Sequence, residues 1–153
     1  RNFEARIPKG ATDGQRLRDC WRDGSLTYLG LQVAGFPNMF MLAGPQSASL
    51  STNFPRGIET VVDWASGLFE HAVQHGIHRI EPTPEAQAEW TAHVKEMYQG
   101  LLLRKAKSWF TGYNSNVEGH DKIRYMIYNG GAPRYRQRLA EVAQQGYAGF
   151  RLG

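Results

Sequence analysis

The chain has 153 residues, 41% of them hydrophobic and 21% charged, a composition suited to one folded domain or a piece of a larger one and not to a disordered chain. Its formal net charge of +4 is spread out, with Arg16, Arg18 and Arg22 alternating with Asp19 and Asp23, so solvated faces explain it and no nucleic-acid partner is expected. The apolar runs 39–43 and 101–103 fall far short of the roughly 20 residues that cross a bilayer, and a lone cysteine, Cys20, precludes an internal disulfide framework and suits a reducing cytoplasm.

Residues 1–26 read as an irregular lead-in with a helical turn or two over 16–21. Charged from Arg1, this segment lacks both an initiator methionine and the apolar core of a signal peptide, so a cut from a longer chain is expected. From Leu29 to Asn38 the glycines and Pro37 indicate irregular backbone. Residues 39–43 then form a short apolar run closed by Gly44 and Pro45, the pattern of a fully buried strand in a parallel sheet.

A long helix follows, with Ile58, Val61, Val62, Ala65, Leu68, Phe69, Ala72 and Val73 at three-and-four spacing. Asn53 is its candidate cap, Pro55 suits its first turn, and Gly76 stops it. Residues 77–81 suit a short strand. Thr83 and Pro84 open a second helix that carries Ala86, Trp90, Val94, Met97, Tyr98 and Leu101 inward. Residues 123–128 alternate like a strand, and 134–145 read as a last helix ended by Gly146. Strand, tight turn and long helix in that order imply an α/β sheet fold.

Self-sufficient catalytic sites are not found. The chain has no G-x-G-x-x-G, no P-loop and no G-x-S-x-G elbow around Ser47, Ser49 or Ser51. His71 and His75 stand four apart, but Ala72, Val73 and Gln74 lie between them where H-E-x-x-H would place a glutamate, so no metal is expected. The remaining candidate is the junction 44–54. In open α/β sheets ligands sit beyond strand C-termini, near helix N-termini whose free N–H groups and dipole favour negative charge. A reduced flavin carries such charge on its pyrimidine side. On the residues alone, an ordinary strand-to-helix loop is the simpler account.

Thr27-Tyr28-Leu29-Gly30, then Gly35-Phe36-Pro37-Asn38-Met39-Phe40 and Leu42-Ala43-Gly44-Pro45, resemble in order the T-Y-L-G, G-F-P-N-x-F and G-P runs of Baeyer–Villiger monooxygenases. Ile58-Glu59 and Val62-Asp63-Trp64 continue the likeness, as does Ser108-Trp109-Phe110-Thr111-Gly112 with Asn114. It closes on Gly130-Gly131, Tyr135-Arg136-Gln137, Glu141-Val142-Ala143, Gly146-Tyr147 and Gly149-Phe150. The resemblance is collinear from about Asp19 to Leu152. Two departures stand out: the loop after Gly112 is longer and lacks the family's proline-lysine element, and Phe54-Pro55-Arg56-Gly57 replaces a more apolar stretch.

The resemblance implies a two-dinucleotide-domain flavoprotein using FAD, NADPH and O2 to insert oxygen beside a ketone carbonyl, giving an ester or lactone. Residues 27–103 would hold the final strand and helices of a Rossmann-like FAD-binding domain, and 104–153 a tail near the NADP and substrate site. The resemblance assigns Gly44, Pro45, Gln46, Asn53, Phe54 and Trp109 to cofactor binding and Ser47, Ala48, Ser49 and Leu50 to the substrate. No catalytic residue falls in this segment, so the chain is expected to be inactive without the remainder of the same enzyme. An N- or S-oxidising flavin monooxygenase and a non-catalytic α/β module are the alternatives.

Overall fold

A computed structural model describes residues 14–48, 52–116 and 123–153. In chain order the elements are α1 (Leu17–Cys20), α2 (Phe54–Gln74), β1 (Ile80–Pro82), α3 (Pro84–Met97), α4 (Ala132–Gln144) and β2 (Phe150–Leu152), with 3-10 turns at Leu102–Lys105 and Trp109–Thr111. The helices form where their caps predict. The Asn53 side chain accepts the Arg56 N–H at 3.3 Å and starts α2, while Thr83 Oγ1 accepts the Ala86 N–H at 3.1 Å and starts α3. Each cap supplies an acceptor to an N–H group the helix leaves orphaned. Gly76, at φ +63°, follows the end of α2, and Gly131, at φ +80°, precedes α4.

The strands differ from expectation. Among the described residues the only sheet is β1 paired antiparallel with β2, Ile80 opposite Leu152 and Pro82 opposite Phe150. Residues 39–43 are not a strand: the chain turns at 42–43 and Leu42 is 45% exposed. The apolar run forms no ladder beyond a single bond from Met41 N to Leu31 O at 2.8 Å, with Met39 and Met41 in one cluster of Leu17, Trp21, Val33 and Phe36, and Phe40 in another with Leu68, Ala72, Ile80 and Tyr147. Residues 123–128 likewise lie outside any named strand. Tyr125 adopts φ +50°, which breaks an extended run, and the buried members are Arg124, Ile127 and Tyr128 rather than every second residue.

The main core joins Tyr28, Leu29, Leu31 and Ala48 to Val61 of α2, Trp90 and Val94 of α3, Tyr98, Tyr128, and Tyr135, Leu139 and Val142 of α4. Residues on both sides of position 103 share this one cluster. Only part of the α2 stripe turns inward: Val61, Ala65, Leu68 and Ala72 are buried, whereas Val62, Phe69 and Val73 are 39%, 44% and 82% exposed. Leu101, expected inside, is 40% exposed, because α3 ends at Met97 and the chain has left the helical face by then.

Tyrosines tie the two ends of the chain together. Tyr135 Oη donates to the Leu29 carbonyl at 2.6 Å and Tyr28 Oη to the Ala148 carbonyl at 2.8 Å. Burial raises the Tyr135, Tyr98 and Tyr28 hydroxyls above the ordinary tyrosine value of 10.0. Ionisation is therefore easier in the unfolded chain. The stabilisation is full below about pH 10 and is lost as pH climbs toward the folded values. Replacing Tyr135 by Phe should lower stability by about 1–2 kcal/mol at neutral pH, the worth of a buried hydrogen bond, and flatten the alkaline decline. Denaturant melts of both proteins between pH 7 and 11 test this; parallel curves would show that Tyr135 is not the group responsible.

Candidate cofactor and substrate site

The 44–48 turn is held from beneath. Gly30 approaches so closely that a Cβ there would lie 2.5 Å from Ser47 N, and a Cβ on Gly44 would meet the Gly30 carbonyl oxygen and, at 2.9 Å, Met41 Cβ. Gln46 adopts φ +66°, a left-handed conformation uncommon for a side chain with a Cβ. Its side chain is fully buried. Gln46 Oε1 accepts from Thr27 Oγ1 at 2.8 Å and Thr91 Oγ1 at 3.3 Å, and its Nε2 donates to the Ser25 carbonyl at 2.8 Å. The backbone joins in, with Gln46 N donating to Met126 O at 2.8 Å and Tyr128 N to Ser47 O at 3.1 Å.

These positions separate the expected site residues. Gly44, Gln46, Ser47 and Ala48 are buried and Pro45 is half-buried. The Gln46 side chain offers no exposed atom to a cofactor in this chain, since its amide is bonded inward. Ala48 lies in the main core at 2% exposure, on the wall of a small pocket it shares with Thr52 and Arg56 near the head of α2. Ser49 and Leu50 lie outside the described residues. Asn53 and Phe54 are exposed at the head of α2, and no acceptor for their backbone N–H groups is found among the described residues. That end of a 21-residue helix presents free donors and the positive pole of the helix dipole.

Farther along, Trp109 begins a 3-10 turn. The turn is fastened by Thr111, whose Oγ1 donates to Ser108 O at 2.7 Å and Ala106 O at 3.1 Å. Arg124 N donates to Thr111 O at 2.7 Å, and the Arg124 guanidinium reaches the Trp21 and Arg22 carbonyls at 3.5 and 3.1 Å. Gly112 makes room for that side chain, since a Cβ there would sit 2.7 Å from Arg124 Cβ.

An open cleft of about 530 Å3 separates α3 from α4, with Trp90, His93, Tyr128, Arg134 and Arg138 on its walls. None of the expected site residues lines it. His71 and His75 stack with ring centroids 4.1 Å apart, and among the described residues no group of three or more metal-ligating side chains forms. No helix of the described residues is long and apolar enough to cross a membrane.

No protein-family model matches the chain. Over 139 residues, 91% of its length, it is 42% identical to a phenazine N-monooxygenase of Lysobacter antibioticus and 38% identical to a cyclopentanone 1,2-monooxygenase of a Comamonas species. The crystal structure of an OTEMO complex with FAD and NADP superposes on 97% of it at a TM-score of 0.87 and 33% identity. Over nine-tenths of its length the chain is similar to Baeyer–Villiger monooxygenases and to flavin-dependent relatives of theirs. It spans about a quarter of the length of the curated relatives it matches.

The Baeyer–Villiger motif residues have definite structural duties here. Thr27 holds Gln46, Tyr28 holds the Ala148 carbonyl, the Leu29 carbonyl takes the Tyr135 hydroxyl, and Gly30 admits Ser47. Trp64 Nε1 donates to Leu139 O at 2.7 Å and joins α2 to α4. Ser25, Thr27 and Thr91 were not foreseen as supports of the turn. The T-Y-L-G run was the available signal for Thr27; Ser25 and Thr91 gave none. The fold is mixed α/β, like that of its flavin monooxygenase neighbours.

Proposed function

We propose that this chain contributes the substrate- and flavin-facing 44–54 turn and the nucleotide-facing Trp109 turn of a FAD- and NADPH-dependent Baeyer–Villiger monooxygenase acting in the cytoplasm. The overall reaction converts ketone, O2, NADPH and a proton into ester or lactone, NADP+ and water. FAD, when bound, supplies the site at which O2 is reduced. Asn53 and Phe54 would offer backbone N–H groups to its electron-rich pyrimidine edge, with Gly44, Pro45 and Gln46 shaping the approach. Ser47, Ala48, Ser49 and Leu50 would border the ketone, and the Trp109 indole would serve NADP.

The observation that carries this reading is the head of α2. Among the described residues nothing accepts the two consecutive N–H groups there, and the 44–48 turn that precedes them in sequence is fixed on its inner side by Gln46. That pairing fits an anionic ring carbonyl and gives a plain connecting loop no advantage. A Rossmann-like FAD-binding domain that continues into the tail accords with the likeness to the FAD- and NADP-bound neighbour. The uncovered Val62, Phe69 and Val73 on α2 suit a surface against which the remainder of the same enzyme packs.

The test is the absorption spectrum of the purified full-length enzyme, followed by NADPH oxidation with a panel of cyclic ketones and one phenazine. Flavin bands and NADPH-dependent lactone formation are expected. Turnover of the phenazine alone would transfer the protein to nitrogen oxidation, and a colourless preparation would favour a non-catalytic module.

A further inference from the structure

We infer that Gln46 is a positioning residue: its buried amide sets the attitude of the 44–48 turn toward flavin and ketone. This rests on the functional reading above. The amide draws together two separate parts of the chain, and the Gln46 backbone adds a third. Thr27 and the Ser25 carbonyl lie before the turn, Thr91 lies on α3, and Met126, on the tail, receives the Gln46 backbone N–H.

Bulk is not what the site requires of this residue. A methionine of similar length would fill the same space and avoid burying an amide, which is unfavourable unless fully bonded. What the amide adds is direction. The amide oxygen accepts from two hydroxyls, of which Thr27 Oγ1 also reaches the Pro45 carbonyl at 3.2 Å, and the amide nitrogen answers the Ser25 carbonyl. The left-handed backbone at Gln46 then turns the chain sharply between Pro45 and Ser47. Freed of its side-chain bonds, this strained conformation has less to hold it, and the residues that follow would shift toward an ordinary one.

Gln32 supplies the contrast. It too is fully buried, but its Nε2 makes one long bond of 3.3 Å to Ile80 O and its Oε1 has no partner. Gln32 therefore reports what a buried glutamine contributes to the fold without touching the 44–48 turn.

The experiment compares Gln46→Met, Thr27→Val, Thr91→Val and Gln32→Met in the flavin-loaded full-length enzyme. Gln46→Met is expected to leave the rate of flavin reduction by NADPH, per flavin bound, within about twofold. The ketone KM should rise roughly tenfold, the equivalent of one net hydrogen bond, and more NADPH should end as hydrogen peroxide instead of ester. Thr27→Val and Thr91→Val should shift both readouts the same way, Thr27→Val the more because its bond is shorter. They carry the test if Gln46→Met does not fold. Gln32→Met should lower the melting temperature without moving the ratio of peroxide to ester. Unchanged KM and coupling in the Gln46 and Thr27 variants would overturn the inference, as would an equal shift in Gln32→Met. A wild-type enzyme that holds no flavin removes the functional reading along with it, whereas active wild type with unaffected variants removes this inference alone.

Discussion

Gly30→Ala is expected to destabilise the protein by about 2–5 kcal/mol. The residue sits at φ +72°, and its missing Cβ is what lets Ser47 approach: an added methyl would lie 2.5–2.6 Å from Ser47 N, Cα and Cβ. The left-handed backbone alone costs an alanine about 1–2 kcal/mol. Forcing a methyl group into packed backbone adds about 1–3 kcal/mol. Against a typical stability of about 5–15 kcal/mol, such a loss is large. Gly35→Ala makes the comparison, since Gly35 has φ +87° but nothing within 4 Å of an added Cβ. It should show the backbone contribution only. Equal denaturation midpoints for the two variants would mean that the 44–48 turn yields freely and is not rigidly seated.

Trp90→Ala should be comparably severe, at about 3–5 kcal/mol, the usual result of removing a large aromatic from a core. Trp90 is 3% exposed, stacks on Tyr128 at 5.1 Å with 9° between the ring planes, and belongs to the cluster that joins α2, α3 and α4. Its Nε1 is buried and has no hydrogen-bond partner. A phenylalanine would therefore lose area but also remove an unsatisfied donor, so Trp90→Phe should cost well under half as much as Trp90→Ala. If the two variants unfold at the same denaturant concentration, the indole is not the element that fills this space.

The helices were legible because their signals are local. Asn53, Thr83 and Gly76 act within a turn of themselves, and Val61, Ala65, Leu68 and Ala72 mark an inward face whatever lies opposite. Strands were less legible because pairing is not a local property. Residues 39–43 and 123–128 carry the composition and alternation of strands yet have no ladder, whereas Phe150–Leu152 is a strand only because Ile80–Pro82 stands beside it. At the candidate site, Gly44, Pro45 and the head of α2 could be placed from the turn residues and the cap. The inward role of Gln46 could not. A glutamine in a Gly-Pro turn reads as solvent-facing, and its partners lie 19, 21 and 45 positions away. The α3–α4 cleft left no trace in the sequence, since it depends on how far two helices stand apart.

The bonds that join the two ends of the chain also govern when it can fold. Tyr28 waits for Ala148, 120 residues later, Leu29 for Tyr135, 106 later, and Arg22 for Arg124, 102 later. At a synthesis rate of about 5–20 residues per second, the ribosome needs roughly 5–25 seconds to deliver these partners. Throughout that interval Tyr28, Leu29 and Leu31, all buried at the end, lack the part of their cover that Tyr128, Tyr135, Leu139 and Val142 supply. Helices α2 and α3 can form as they emerge, but the segment that carries the T-Y-L-G run must wait for the last. Contacts of such long sequence separation make folding slow, so a nascent chain stalled before α4 would present these core residues to chaperones and aggregation alike.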